Sequence, residues 1–163
     1  MEATLLNQSD NGQIKLREIS LFNWGSFADL HTAHIDPNGT LITGDNGAGK
    51  STLVDGLMAL LMPPSRANFN IAAAQNDKAD RTILSYMRGS YGQEHDGTTT
   101  ATKSKRSQKV VTGLRAYYRQ DNGNDITLIA LFWADSTATS ASDVKRLYLV
   151  ANRDVKLKTA LAE

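Results

Sequence analysis

The stretch LITGDNGAGKSTLVDGLMALL, residues 41–61, decides the fold of this chain. Two apolar residues, Leu41 and Ile42, precede the segment from Gly44 to Ser51, which matches G-x-x-x-x-G-K-[ST] at every fixed position. Apolar residues then recur at helical spacing from Leu53 onward. The stretch therefore predicts a strand, a glycine loop and a helix in that order, which is the context that a phosphate-binding P-loop requires.

The chemistry of this loop predicts a nucleotide site. Its glycines allow backbone N–H groups to turn inward, so the loop and the first helical turn form a concavity that suits a phosphate. We expect Lys50 to reach the β and γ phosphates and Ser51 to hold Mg²⁺, which prefers oxygen ligands. The alternative is a glycine-rich turn that merely caps a helix. The predicted cofactors are ATP and Mg²⁺, and the predicted nucleotide-binding residues are Gly44, Asp45, Asn46, Gly47, Ala48, Gly49, Lys50, Ser51 and Thr52.

Length and composition predict one domain with a real core, since the chain has 163 residues of which 40% are hydrophobic. The formal net charge of +1 provides no global field for nucleic acid. The chain has no cysteine, which excludes disulfides and thiolate metal sites. No apolar run approaches the roughly 20 residues of a membrane span, and we expect a soluble intracellular protein.

The first half reads as a flexible N-terminal lead over residues 1–13 followed by strands. One strand runs from Ile14 to about Trp24 and a second from Phe27 to Ile35, and Asp36-Pro37-Asn38-Gly39 is a turn. The helix after the glycine loop is expected to end at Pro63-Pro64, because proline cannot continue the hydrogen-bond ladder.

The second half predicts a short helix, a loop and three strands. Asp77 or Asp80 is expected to cap a helix that Gly89 ends, with Arg81, Ser85 and Arg88 on one face and Ile83 and Met87 on the other. Residues 92–109 are polar and predict a mobile loop. The strand candidates VVTGLRAYYRQ, DITLIALFWAD and VKRLYLVANRD then predict an antiparallel meander.

Four segments in this order resemble the N-terminal end of SMC-like ATPases of the group formed by MukB, MksB and JetC, the last from the Wadjet plasmid-defence complex. They are LFNWGSF, GDNGAGKSTLVDGLMALLMP, FNIAAA and DRTILSYMRGSYG, and the resemblance extends over about residues 14–154. It implies an α/β fold, the N-terminal lobe of an ABC-type head, with a mixed sheet, an antiparallel meander and the P-loop helix over residues 14–163.

The resemblance also implies partners and a role. Family members build the head from both ends of a long chain, bind ATP between two heads and act on DNA with kleisin-type and accessory subunits. The expected partners are therefore the C-terminal half of the same head, a second head, those subunits and DNA, in the bacterial cytoplasm near the nucleoid or a plasmid. This chain shows no signature motif, Walker B aspartate, catalytic glutamate or H-loop, and Gln93 and Gln108 do not suit a Q-loop. We expect it to be inactive as an ATPase on its own.

Other readings of particular residues remain open. Asp135, after an apolar strand, would be the metal aspartate if the chain were a complete small P-loop NTPase or kinase. A basic cluster without acids suits a non-catalytic DNA-contacting module, because such clusters neutralise phosphates. It comprises Lys103, Lys105, Arg106, Lys109, Arg115 and Arg119. The resemblance further implies that Arg81 or Arg88 contacts the γ phosphate.

Overall fold

The computed structural model describes residues 12–63, 69, 82–96, 99–121 and 123–162. Its strands are β1 (Ile14–Trp24), β2 (Phe27–His34), β3 (Ser90–Asp96), β4 (Thr99–Ser104), β5 (Val110–Gln120), β6 (Asp125–Ala134) and β7 (Lys145–Ala151). Its helices are α1 (Lys50–Leu61), α2 (Ile83–Arg88) and α3 (Leu157–Ala162), with one 3₁₀ turn over Ala141–Asp143. The lead over residues 1–13 lies almost wholly outside the described residues.

A five-stranded sheet in the order β2-β1-β5-β6-β7 forms the centre of the fold, and β3 and β4 form a separate hairpin. Every described strand pair is antiparallel, so β5, β6 and β7 form the predicted meander. The helices α1 and α2 cover one face of the large sheet, where Leu21, Leu114 and Phe132 are buried in a common core. The predicted α/β class is confirmed.

The strand predicted at Leu41 and Ile42 is wrong, since residues 35–49 contain no strand. Leu41 is 87% exposed and Ile42 is 41% exposed. A strand exists only when a neighbour supplies hydrogen bonds, and the described sheet ends at β2 and β7 without pairing this segment. The sheet is therefore antiparallel throughout in the described part of the chain, and the strand that the glycine loop predicts is absent there.

The mobile loop predicted over residues 92–109 is replaced in large part by the β3–β4 hairpin. Its backbone pairs from Ser90 with Ser104 to Asp96 with Thr99. Threonine favours an extended backbone in spite of its polarity, which explains how so polar a segment forms strands. The loop expected from polarity is therefore wrong for residues 92–96 and 99–104, which form strands.

Thr82, and not Asp77 or Asp80, caps α2. The Thr82 side chain accepts a hydrogen bond from the Ser85 N–H, and the Ser85 hydroxyl accepts one from the Thr82 N–H, so the two form a reciprocal capping box. Asp77 and Asp80 lie outside the described residues. Gly89 ends the helix as predicted, in the left-handed conformation, and Ile83 and Met87 on the predicted apolar face are buried.

The other face of the sheet carries a buried cation. The Arg115 guanidinium donates to the Glu18 carboxylate at 2.8 Å, to the Asp154 carboxylate at 2.5 Å and to the Val155 carbonyl at 2.6 Å. Lys156 lies 3.1 Å from Glu18 and 2.9 Å from Asp154. These bonds hold the segment after β7 against the sheet, and α3 follows with its Leu157 side chain over Gly113. None of the helices in the described residues has the length and apolar character that a membrane span requires.

Candidate nucleotide-binding site

The glycine loop leads directly into α1 and takes backbone conformations that favour glycine. Gly44, Gly47 and Gly49 have φ angles of 150°, 84° and 94°. Gly49 is the residue before the helix, and Lys50, Ser51 and Thr52 form its first turn. Because a side chain at positive φ is strained, the pattern of glycines matches the backbone that the loop adopts.

The Lys50 side chain folds across the loop. Its ammonium group donates to the Gly44 carbonyl at 2.5 Å and to the Asp45 carbonyl at 2.8 Å. An ammonium group has three N–H donors, so these two bonds leave one donor for a phosphate oxygen. The Lys50 ammonium therefore lies against the loop, and its contact with a phosphate stays a prediction.

The N-terminus of α1 supplies further donors. The first intrahelical bond that follows the loop runs from the Leu53 N–H to the Gly49 carbonyl at 2.9 Å. In an α-helix the N–H groups before that bond have no partner within the helix, and they carry the positive end of the helix dipole. The donor set is thus made of amides and one ammonium group, which fits a phosphate chain. The exposed hydroxyl of Ser51, in the same turn, is an oxygen ligand that fits Mg²⁺.

The turn between β1 and β2, residues 23–27, lies directly against this site. A Cβ atom built on Gly25 would lie 2.5 Å from the Cγ2 atom of Thr52. A Cβ atom built on Gly49 would lie 3.1 Å from the Ser26 hydroxyl and 3.0 Å from the Phe27 ring. The turn therefore touches both the residue before the helix and the end of its first turn.

Trp24 fixes the turn to the helix. Its indole N–H donates to the Thr52 carbonyl at 3.0 Å, and its ring stacks on Tyr86 of α2 with centroids 4.6 Å apart and planes 9° apart. The Tyr86 hydroxyl in turn donates to the buried Asp55 carboxylate in α1. A Cβ atom on Gly56 would lie 3.2 Å from the indole nitrogen, so the glycine provides the space that the indole occupies.

Sequence reasoning missed these functional neighbours of the loop. Gly56 in the middle of a predicted helix was a signal, because glycine there costs about 1 kcal/mol relative to alanine and usually has a packing reason. Asp55, a carboxylate among the apolar residues of the same helix, was a second signal. Neither residue indicates by itself which partner it contacts.

Of the two arginines predicted to reach the γ phosphate, only Arg88 lies among the described residues. Arg81 lies outside the described residues. The Arg88 guanidinium donates to the Ala138 carbonyl at 2.6 Å and to the Ser136 carbonyl at 3.1 Å, so it ties the end of α2 to the loop after β6. These bonds give Arg88 a structural role. A phosphate contact by either residue stays a prediction.

Asp135 follows β6, which pairs with antiparallel neighbours on both sides. A Walker B aspartate should end a strand parallel to a P-loop strand, and the described residues contain neither parallel pairing nor a P-loop strand. The Asp135 carbonyl instead accepts a turn hydrogen bond from the Ala138 N–H at 3.1 Å. The geometry thus offers no support for the compact-enzyme alternative.

The basic cluster is divided by the fold. Arg115 is fully buried and paired with carboxylates, and Arg106 is half-buried and bonded to backbone carbonyls. Lys103, Lys105 and Lys109 are exposed. Only part of the predicted DNA-contacting set is therefore available at the surface, because two of its arginines stabilise the fold.

Comparison with known proteins agrees with the loop geometry. Residues 16–76 match the family described as the P-loop containing region of AAA domain. The chain is 34% identical over 105 residues to the chromosome partition protein MukB of Haemophilus ducreyi, in a match covering 62% of this chain and 7% of MukB. It is 38% identical over 52 residues to the retron Vc95 probable ATPase of Vibrio cholerae serotype O1 biovar El Tor, covering 32% of this chain and 10% of that protein.

The chain thus spans at most a tenth of the length of either relative. The matched residues include the glycine loop, α1 and the turn at residues 23–27. The narrower resemblance to MksB and JetC stays a prediction. The loop geometry and the matches together support a P-loop ATPase region similar to that of SMC-like ATPases.

Proposed function

We propose that the glycine loop binds the phosphates of ATP and that Ser51 contributes a ligand to the accompanying Mg²⁺. The observation that carries the proposal is the donor set at the start of α1. The loop glycines have positive φ angles, the Lys50 ammonium bonds to the Gly44 and Asp45 carbonyls, and the amides of the first turn of α1 follow directly in the chain. Bound Mg²⁺ would offset the charge of the phosphates, while Lys50 and the amides hold and orient them.

We further propose that ATP binding serves the joining of two heads of a longer SMC-like protein that acts on DNA in the bacterial cytoplasm. The similarity to a protein named for chromosome partition supports this role. The C-terminal half of the head, a second head and kleisin-type or accessory subunits would be the partners. A role in plasmid defence or in chromosome organisation belongs to the same proposal.

A DNA contact at the end of the β3–β4 hairpin is a second part of this proposal. Exposed Lys103, Lys105 and Lys109 favour it, because surface ammonium groups neutralise phosphates without reading sequence. If Lys109 makes one phosphate contact, Lys109→Ala should lower the slope of log affinity against log salt by about 0.9 for duplex DNA. An unchanged slope in Lys103→Ala, Lys105→Ala and Lys109→Ala would count against the contact.

Arg81 and Arg88 stay candidates for a γ-phosphate contact, because a guanidinium offers paired donors to phosphate oxygens. In the protein with both halves of the head, replacing the contacting arginine should slow ATP turnover more than it weakens ATP binding. Unchanged turnover in both Arg81→Ala and Arg88→Ala, with and without DNA, would end this part of the proposal.

The test of nucleotide binding is titration of a fluorescent ATP analogue into the chain in the presence of Mg²⁺, read by anisotropy. Lys50→Ala removes a charge-assisted contact that is typically worth about 1.5–3 kcal/mol, so affinity should fall by roughly 10- to 150-fold. Circular dichroism and the unfolding midpoint should remain close to those of the unmodified chain.

Lys109→Ala is the matched control, since it removes the same charge from an exposed site outside the loop. It should leave affinity for the analogue unchanged. Equal affinity in Lys50→Ala and Lys109→Ala would refute phosphate binding by the loop.

A further inference from the structure

The turn at residues 23–27 is held from two sides. On one side it contacts Gly49 and Thr52 at the start of α1, as described above. On the other side it contacts Arg106, which follows the β3–β4 hairpin. The Gly25 N–H also donates to the Tyr86 carbonyl in α2 at 2.8 Å. A displacement of the turn would therefore break hydrogen bonds to neighbouring segments.

Arg106 joins three backbone carbonyls from two separate segments. Its Nε atom donates to the Met87 carbonyl at 2.7 Å, and its Nη2 atom donates to the Gly25 carbonyl at 2.9 Å and to the Tyr86 carbonyl at 3.3 Å. Met87 and Tyr86 lie in the last turn of α2, where carbonyls carry the negative end of the dipole, and the Tyr86 carbonyl also accepts from the Gly89 N–H at 3.0 Å. One guanidinium thus binds the end of a helix and the turn beside the nucleotide site.

The site around Arg106 suits an arginine side chain in particular. A Cβ atom on Gly89 would lie 2.7 Å from the Arg106 Nη2 atom, so the guanidinium reaches its partners only because Gly89 has no side chain. The Arg106 N–H donates to the Arg88 carbonyl at 3.0 Å, which fixes the main chain at the same place. Burial lowers the pKa of the guanidinium, and the charge of Asp29 opposes this shift. A lysine has neither the planar shape nor the separated donors needed to reach both segments.

We propose that Arg106 is a positioning residue for the nucleotide site: it fixes the turn at residues 23–27, and this turn fixes the amides of Gly49 to Thr52 that face the phosphates. This inference rests on the proposed function. In this role Arg106 bonds to backbone carbonyls and not to the nucleotide. It acts through the Gly25 carbonyl, and Trp24 carries the effect to the Thr52 carbonyl.

Nucleotide binding and the ordered turn should stabilise each other. If an ordered turn favours nucleotide binding, bound nucleotide must favour the ordered turn by the same free energy. Nucleotide should therefore slow hydrogen exchange at the Gly25 N–H, which donates to the Tyr86 carbonyl and lies outside the phosphate loop. Nucleotide that binds only the folded chain slows exchange at every amide that opens by global unfolding, so the readout is the slowing at Gly25 beyond that at amides of β6. An arginine that only stabilises the fold would not produce this excess.

The experiment compares the unmodified chain with Arg106→Ala, Arg106→Lys and the control Lys158→Ala, which removes a charge from an exposed site in α3. Affinity for the fluorescent ATP analogue is measured well below the unfolding midpoint of each variant, and exchange at Gly25 is followed with and without nucleotide. Arg106→Ala should weaken binding by about tenfold, inside the range of roughly 5- to 150-fold for coupled sites, and should abolish the excess slowing at Gly25. Arg106→Lys should restore only part of both effects, and Lys158→Ala should change neither.

A second variant keeps the proposal testable if Arg106→Ala does not fold. Trp24→Phe retains an aromatic ring against Tyr86, and it removes the N–H that reaches Thr52 together with part of the buried ring volume. It should weaken binding of the analogue several-fold. Two results together would overturn the positioning role. The folded variants would keep full affinity, and nucleotide would still produce the excess slowing of exchange at Gly25 in Arg106→Ala or Arg106→Lys. Failure of Lys50→Ala to weaken binding would instead refute the proposed function, so the two failures are distinguishable.

Discussion

The close contact between Gly25 and Thr52 allows a quantitative prediction for Gly25→Ala. Gly25 has a φ of 56°, and an alanine in this left-handed region costs about 1–2 kcal/mol. The added Cβ would also lie 2.5 Å from the Thr52 Cγ2 atom and 3.2 Å from the Tyr86 ring, and overpacking of this kind costs about 1–3 kcal/mol. The free energy of unfolding should therefore fall by about 2–5 kcal/mol, a large part of the roughly 5–15 kcal/mol of a typical domain.

Urea denaturation provides the measurement, and the corresponding fall in Tm should be about 4–20 °C for a chain of this size. Gly123→Ala is the matched control, because Gly123 has a φ of 92° but no atom within 4 Å of a built Cβ. It should show only the backbone cost of about 1–2 kcal/mol. Gly25→Ala no more destabilising than Gly123→Ala would refute the close approach of the turn to α1.

The two parts of the cost can also be separated by a double variant. Thr52→Ser removes the Cγ2 atom that the new Cβ would meet, and it keeps the hydroxyl. Gly25→Ala combined with Thr52→Ser should recover part of the overpacking cost, so the two substitutions should not be additive. Full additivity would show that the loss in Gly25→Ala arises from backbone strain alone.

Three further predictions concern other parts of the chain. Burial opposes ionisation of Glu18 and Asp154, but hydrogen bonds and charges from Arg115 and Lys156 outweigh it and lower both pKa values below 4.5 and 3.8. The unfolded chain then binds more protons in acid than the folded chain does. The urea concentration at the unfolding midpoint should therefore stay constant above about pH 5 and fall as the pH drops through the folded pKa values. A midpoint that does not change from about pH 6 to 3 would contradict this. The β7 edge exposes consecutive apolar side chains, including Leu149 at 40%, so the chain should self-associate with concentration, and Leu149→Lys should reduce this in sedimentation velocity; a monomer at all concentrations would count against it. Purified chain should not turn over ATP in a phosphate-release assay, because hydrolysis needs a base and a positioned water, and robust turnover abolished by Lys50→Ala would revive the compact-enzyme reading.

The elements that could be predicted from the sequence are those with a local pattern. The meander of β5, β6 and β7 follows from alternating apolar residues separated by turn signals, and α1 follows from helical spacing that ends before Pro63. The positive φ angles of the loop follow from its glycines. Each of these signals lies within a dozen residues, so no knowledge of distant partners was needed.

The predictions that failed concern residues whose partners are remote in the chain. The composition around Arg106 indicated a solvent-exposed basic segment. In the structure its guanidinium instead binds the Gly25 carbonyl, 81 positions away in the chain, and a carbonyl in α2. Arg115 looked the same in the sequence and became the buried partner of Glu18 and Asp154. Charge runs indicate exposure only on average, since an arginine is buried wherever carbonyls or carboxylates satisfy its donors.

The wrong strand at Leu41 and Ile42 shows how a motif can locate chemistry without fixing its surroundings. The loop conformation needs only its own glycines and the start of α1, and it forms although the residues before it have no strand partner in the described part of the chain. A strand, in contrast, requires a neighbour for every hydrogen bond. The phosphate donors are therefore specified locally, whereas their exact position depends on Trp24, Gly25 and Arg106, which reach the site from other segments. Nucleotide affinity should then respond to residues that the motif does not contain.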